Sequence, residues 1–117
     1  MDVARFSAEL EGFIGSTQWF EDRMLPGLRF TEGVKFFVDQ TQAVAILVMA
    51  HREALAAQQE HPFLSLVFEQ SPTHCTFSLQ DGNYGMVKSA VLHVAEIPPG
   101  RWEFWMEQCV LYLPSEH

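Results

Sequence analysis

Carboxylates dominate the side chains of this sequence that can do chemistry. Fifteen Asp and Glu stand against seven Lys and Arg, a formal charge of −8. Up to Arg52 seven acids meet five bases, and from Glu53 onward eight acids meet only Lys88 and Arg101. The second half therefore carries most of the negative charge. Within it, Glu103, Trp105 and Glu107 alternate with Phe104 and Met106. If the last two face a core, a strand places both carboxylates and the indole on the opposite side, about 6.7 Å between successive members. Glu69 on a neighbouring strand, with Asp81 and Glu96 at strand ends, extends the same anionic surface. Phosphates recur about every 3.4 Å along one nucleic-acid strand, so this spacing matches every second or fourth phosphate. Such a face can fill a basic groove built for DNA or RNA, and it can equally serve to keep a sheet soluble. Glu69, Asp81, Glu96, Glu103, Trp105 and Glu107 are the expected partner-binding residues.

Other chemistries find less support. His51, His61, His74, His93 and His117 form no His-Glu-x-x-His and no i, i+4 pair, so no metal site is expected. His51, at the end of an apolar helix, reads as an imidazole bonded to backbone, and His74 as a turn residue. Cys75 adjoins His74, yet neighbours on a strand point to opposite faces, and a small core thiol is the simpler reading. Ser65, Ser78 and Ser89 lack a Gly-x-Ser-x-Gly elbow. Asp81-Gly82-Asn83-Tyr84-Gly85 has no Lys-Ser/Thr behind it and reads as a hairpin loop, not a phosphate cradle. The expectation is a non-enzymatic protein with no catalytic residues and no cofactor.

With 117 residues, 48% of them apolar, the chain is expected to form a single domain over 1–117. The acidic balance argues against direct nucleic-acid binding, which needs a basic stripe, and against anionic membranes. The longest apolar run, Ala43 to Ala50, has eight residues, against roughly 20 for a membrane span. The N-terminus shows no basic n-region followed by an apolar h-region. Cys75 and Cys109 lie far apart, outside any C-x-x-C. A cytoplasmic protein with reduced thiols is the expectation.

The elements that must position these residues fall into two halves. Val3, Phe6, Leu10 and Phe13 have helical spacing, with Asp2 as cap. Pro26-Gly27 breaks the stretch from Gln18 to Arg29, which is expected to tuck Trp19 and Phe20 inward. Thr31 caps a second helix lined by Val34, Phe37 and Val38, with Glu32 in its first turn. A third helix, apolar nearly all round at Ala43 to Ala50, is expected from about Thr41 to Ala57. Beyond it, Leu64, Leu66 and Phe68, then Cys75, Phe77 and Leu79, alternate with other residues across the turn Ser71-Pro72-Thr73. Further strands are expected over 87–95, 102–106 and 109–113. The predicted fold is α+β, N-terminal helices packed on a C-terminal antiparallel sheet of four or five strands in two layers. Trp102, Phe104 and Trp105 cannot all be buried under one helical layer, so an exposed aromatic on an edge strand and a homodimer through it are part of this reading.

Three blocks carry a resemblance: Phe13-Ile14-Gly15-Ser16 with Trp19-Phe20, Phe30-Thr31-Glu32-Gly33-Val34-Lys35-Phe36, and Val110-Leu111-Tyr112-Leu113-Pro114-Ser115-Glu116. Together they resemble a family of small uncharacterised bacterial, phage and plasmid proteins, a domain of unknown function ending in Val-Leu-x-Leu-Pro-Ser-Glu. Where such proteins have Asn-Gly before the last strand, this chain has Gln108-Cys109, which lacks the residues that favour a primed turn. The stretch from Pro98 to Trp102 is also richer in Pro and Trp. The resemblance implies a setting in mobile elements and transfers no catalytic residue. Joined to the acidic face, it gives the leading expectation: a protein-binding factor that inhibits a host nucleic-acid-handling defence complex, a host protein or ribonucleoprotein with a basic groove, in the manner of an anti-CRISPR. The alternative is a small dimeric interaction module that imitates no nucleic acid.

Overall fold

The structure, a computed structural model, describes residues 1–15, 18–83, 85–92 and 97–117. Helix α1 (Val3–Glu11) begins where Asp2 accepts the Arg5 N–H at 3.1 Å, satisfying an amide that a helix start leaves orphaned. Its Phe6 and Leu10 are buried. Helix α2 (Glu32–Thr41) is capped by the Thr31 hydroxyl and ends at Gln42, whose φ of 62° is left-handed. That break is why the third helix starts later than its apolar run suggests. Helix α3 covers 45–57, α-helical at Ala45–Met49, π-helical at Ala50–Ala54 and α-helical again at Leu55–Ala57. From its π turn His51 places Nε2 3.0 Å from the Pro26 carbonyl, and Glu53 pairs with Lys88 Nζ at 2.6 Å.

Among the described residues seven strands form one sheet: β1 (Trp19–Phe20), β2 (Arg29–Thr31), β3 (Phe63–Gln70), β4 (Cys75–Gln80), β5 (Met86–Leu92), β6 (Gly100–Glu107) and β7 (Val110–Tyr112). Their order across the sheet is β1-β2-β7-β6-β3-β4-β5. The pair β2–β7 is parallel and the other pairs are antiparallel. This overturns the expected antiparallel sheet of four or five strands behind N-terminal helices. The sheet is mixed and seven-stranded, and two of its strands come from between α1 and α2. At two and three residues, β1 and β2 are too short for a period of two to register in sequence. They are strands because β7, far along the chain, offers them an edge.

The aromatic strand is also misplaced in the sequence reading. β6 lies inside the sheet between β7 and β3, so its backbone is paired on both sides and it offers no edge to a second copy. Its Trp102, Phe104 and Met106 turn toward the helices and are buried. Phe37 of α2 meets Phe104 edge-on with centroids 5.1 Å apart. The Trp102 indole donates to the Pro98 carbonyl at 2.8 Å, which gives the proline-rich entry to β6 a role. Trp19, expected inside, is 54% exposed.

The β6–β7 reversal is a two-residue loop in which Gln108 and Cys109 have φ of 51° and 64°. A primed turn thus forms without Asn-Gly. Tertiary bonds hold it: the Cys109 N–H donates to Gln58 Oε1 at 3.0 Å, and the Cys109 carbonyl accepts the Arg29 N–H at 3.0 Å.

Candidate functional site

Alternation along β6 puts Arg101, Glu103, Trp105 and Glu107 on the face turned away from the three helices. Strand registers add their neighbours. Glu69, Val67, Ser65 and Phe63 of β3 stand opposite those four in that order, and Tyr112 of β7 stands opposite Trp105. The shared face expected for Glu69, Glu103, Trp105 and Glu107 is therefore present.

Its electrostatics differ from a row of bare anions. One oxygen of Glu103 lies 3.1 Å from Arg101 Nη1. The other accepts from Ser65 Oγ at 3.1 Å and from the Trp105 indole at 2.6 Å. Arg101 also stands opposite the exposed Glu69. Trp105 is half-buried in a cluster of rings, edge-on to Phe63 at 5.3 Å, to His117 at 5.4 Å and to Tyr112 at 6.2 Å. Asp81 instead organises its own loop, where its carboxylate accepts the Asn83 and Gly85 N–H groups at 2.8 and 3.0 Å. Those bonds, Asn83 first, hold its pKa below the ordinary carboxylate value. Glu96, like His93, lies outside the described residues.

Beside Glu107 the face opens into a cleft of about 420 Å³ lined by Trp19, Thr31, Glu107, Gln108, Val110, Tyr112, Glu116 and His117. Its floor is built by the last residues of the chain. Glu116 Oε1 accepts from Thr31 Oγ1 at 2.6 Å and the Leu113 N–H at 2.9 Å, and Oε2 accepts the Gly33 N–H at 3.2 Å. A carboxylate at the start of α2 also meets the positive end of the helix dipole. Gly33 leaves the room, since a Cβ there would lie 2.6 Å from Glu116 Oε1 and from Leu113 Cδ1. The Thr31-Glu32-Gly33 and Leu113-Pro114-Ser115-Glu116 blocks, distant in sequence, are thus two halves of one joint.

Tyr112 turns its ring into this cleft. It is 8% exposed, and its hydroxyl is buried without a hydrogen-bond partner of good geometry. Burial, then the negative charge of Glu107 and a loose hydrogen bond to its carboxylate push that hydroxyl up to about 12. Sequence reasoning missed Tyr112, Trp19, Thr31, Glu116 and His117 as members of a site. The second and third blocks of the resemblance contain three of them, but only the parallel β2–β7 pairing brings those blocks together.

The remaining candidates for chemistry are dispersed. The Cys75 thiol is fully buried and its pKa is raised by desolvation, the reverse of what activates a nucleophile. His74 sits in the β3–β4 turn with its Nδ1 3.0 Å from Thr73 Oγ1. Among the described residues no three His, Cys, Asp or Glu gather to hold a metal ion, and no helix is long and apolar enough to cross a membrane.

A family model described as "Family of unknown function (DUF6876)" matches residues 4–117. No curated protein and no solved structure matches the chain.

Proposed function

The chain belongs to this family of unknown function, and we propose that it acts by binding another protein through the sheet face turned away from its helices, without catalysis. One observation carries this reading: Phe63, Trp105, Tyr112 and His117 form a continuous cluster of rings on that face, rimmed by Glu69, Glu103 and Glu107. Aromatic centres with a polar rim are the composition of protein interfaces. The bonds that neutralise Glu103 favour docking by shape and rings over imitation of nucleic acid.

The imitation reading, in which the face blocks the basic groove of a defence complex, draws on Glu69 and Glu107 sharing this side. Ionic strength separates the two. Docking by rings predicts a complex little changed between about 0.1 and 0.5 M salt, whereas imitation of a polyanion predicts steep loss over that range. The experiment is affinity capture from the native host at both salts, using wild type, Trp105→Ala and, on the helical side, Val48→Asp. A partner lost with Trp105→Ala and kept with Val48→Asp supports the proposal. Partners that respond equally to both variants overturn it.

A further inference from the structure

We propose that the free edge of β5 pairs with the same edge of a second copy of this chain, joining the two sheets antiparallel about a two-fold axis. This pairing stands apart from the protein-binding reading, because it uses the backbone at one end of the sheet and not the ring cluster on its outer face.

A sheet edge presents a row of N–H and C=O groups without ladder partners. Of the two ends of this sheet, β1 has two residues and β5 has seven. Only β5 is long enough to pair, at about 24 Å. Among the described residues no strand lies along its outer side, where every second residue of an antiparallel strand turns its N–H and C=O. Pro, unpaired charge and bulges are the usual guards of such an edge. β5 has no Pro, and its one charge, Lys88, is drawn back to Glu53 of α3 at 2.6 Å. Its register shift falls at the Met86 end, so the ladder from Lys88 to Leu92 is regular.

Charge and register choose the occupant. The chain carries −8, so two copies repel one another through most of their surfaces. β4 and β5 together contain no acid and only Lys88 as a base, which makes this end of the sheet the place where copies meet with least repulsion. Ser89 and Val91 stand opposite Ser78 and Thr76, which alternate with the buried Cys75, Phe77 and Leu79. They therefore lie on the outer face, and Val91 is 56% exposed there. A two-fold axis at Ala90 sets each Ser89 beside the Val91 of the other copy and leaves two small side chains at the axis. Such a contact is isologous and closes at two copies. One strand pair is smaller than a standard interface, which places the dissociation constant in the range of about 10 µM to 1 mM.

The test is sedimentation of the full chain across that range, with amide hydrogen exchange followed by NMR at the two ends of it. The mass should rise toward two copies and stop. Protection should grow with concentration at alternate amides of β5, since those facing β4 are already bonded. Raising salt from about 0.1 to 0.5 M should tighten the dimer by screening its net repulsion. Val91→Lys puts a charge on the edge and should weaken association at least tenfold, whereas Met24→Lys, at an 83% exposed site away from β5, should leave it unchanged. Because Val91 is exposed, both variants should melt as wild type does. A monomer at every concentration overturns the inference, as does a mass that climbs past two copies. A dimer that Val91→Lys leaves intact, that loosens with salt, or whose β5 amides gain no protection overturns it equally. None of these results bears on capture of a partner through Trp105, so the two proposals fail separately.

Discussion

On the helix side of β6, Trp102, Phe104 and Met106 are at most 7% exposed, and the first two meet rings of α1 and α2. One step along the same strand, Glu103, Trp105 and Glu107 are half-buried and bond chiefly within their own face, through Ser65, Arg101 and a row of rings. The inner set is held by non-directional burial, which scales with area removed from water. The outer set is held by directional contacts of smaller net worth. The same strand thus stores stability on one side and, in the proposed function, presents the binding surface on the other, and the two can be altered separately.

The sharpest way to break that contrast is truncation on both sides. Phe104→Ala should cost about 3–5 kcal/mol, the range for a buried Phe, while Trp105→Ala should cost about 1–2 kcal/mol, as a half-buried ring and one hydrogen bond suggest. Equal losses in denaturant melts would remove the distinction. Next comes the joint at the cleft floor. Gly33→Ala should cost about 2 kcal/mol by displacing the pinned Glu116 side chain, and Gly33→Ala with Glu116→Ala should cost less than the sum of the singles. A double-mutant cycle measures that coupling.

Two changes at the β6–β7 turn and on β7 should stabilise. Gln108→Asn with Cys109→Gly removes left-handed strain from two non-glycine residues and should gain about 1–2 kcal/mol, reduced by the lost Cys109 packing. Tyr112→Phe removes a buried hydroxyl that meets the Glu107 carboxylate without good hydrogen-bond geometry and should gain about 1 kcal/mol. It should also alter the alkaline limb. The folded state favours neutral Tyr112, so this term is fully present below pH 10.0 and is lost as pH rises toward about 12. Wild type should lose stability over that window, and Tyr112→Phe should lose less. The smallest effect belongs to Asp81, which is half-exposed in its own loop. Its folded pKa is lowered, so its contribution is present above the ordinary carboxylate value and fades as pH falls through the depressed one. Asp81→Asn should flatten the acid limb of the stability profile while leaving melts at neutral pH nearly unchanged.

How much of this is legible in the sequence depends on the distance between interacting residues. The caps at Asp2 and Thr31 act three residues away, and the alternation of Leu64, Leu66 and Phe68 acts two residues away, so both can be read locally. The face shared by Glu69, Glu103, Trp105 and Glu107 follows from the same alternation. Pairing of Glu103 with Arg101, two residues along, obeys that alternation too, but it is hidden when charge is counted by region instead of by face. Trp19 and Phe20 carry no period, and their strand depends on β2, which depends on β7.

Composition and local spacing by themselves determined the acidity, the caps, the long antiparallel strands and the apolar side of β6, because each rests on contacts within a turn or a pleat. Tertiary structure alone decided the mixed seven-stranded sheet, the interior place of the aromatic strand and the cleft. The bond from Thr31 to Glu116 spans 85 residues, and the strand pairing that makes it is favoured only after the chain between has folded. Closing such a loop costs entropy that no short pattern encodes, so the site it builds is a property of the assembled fold.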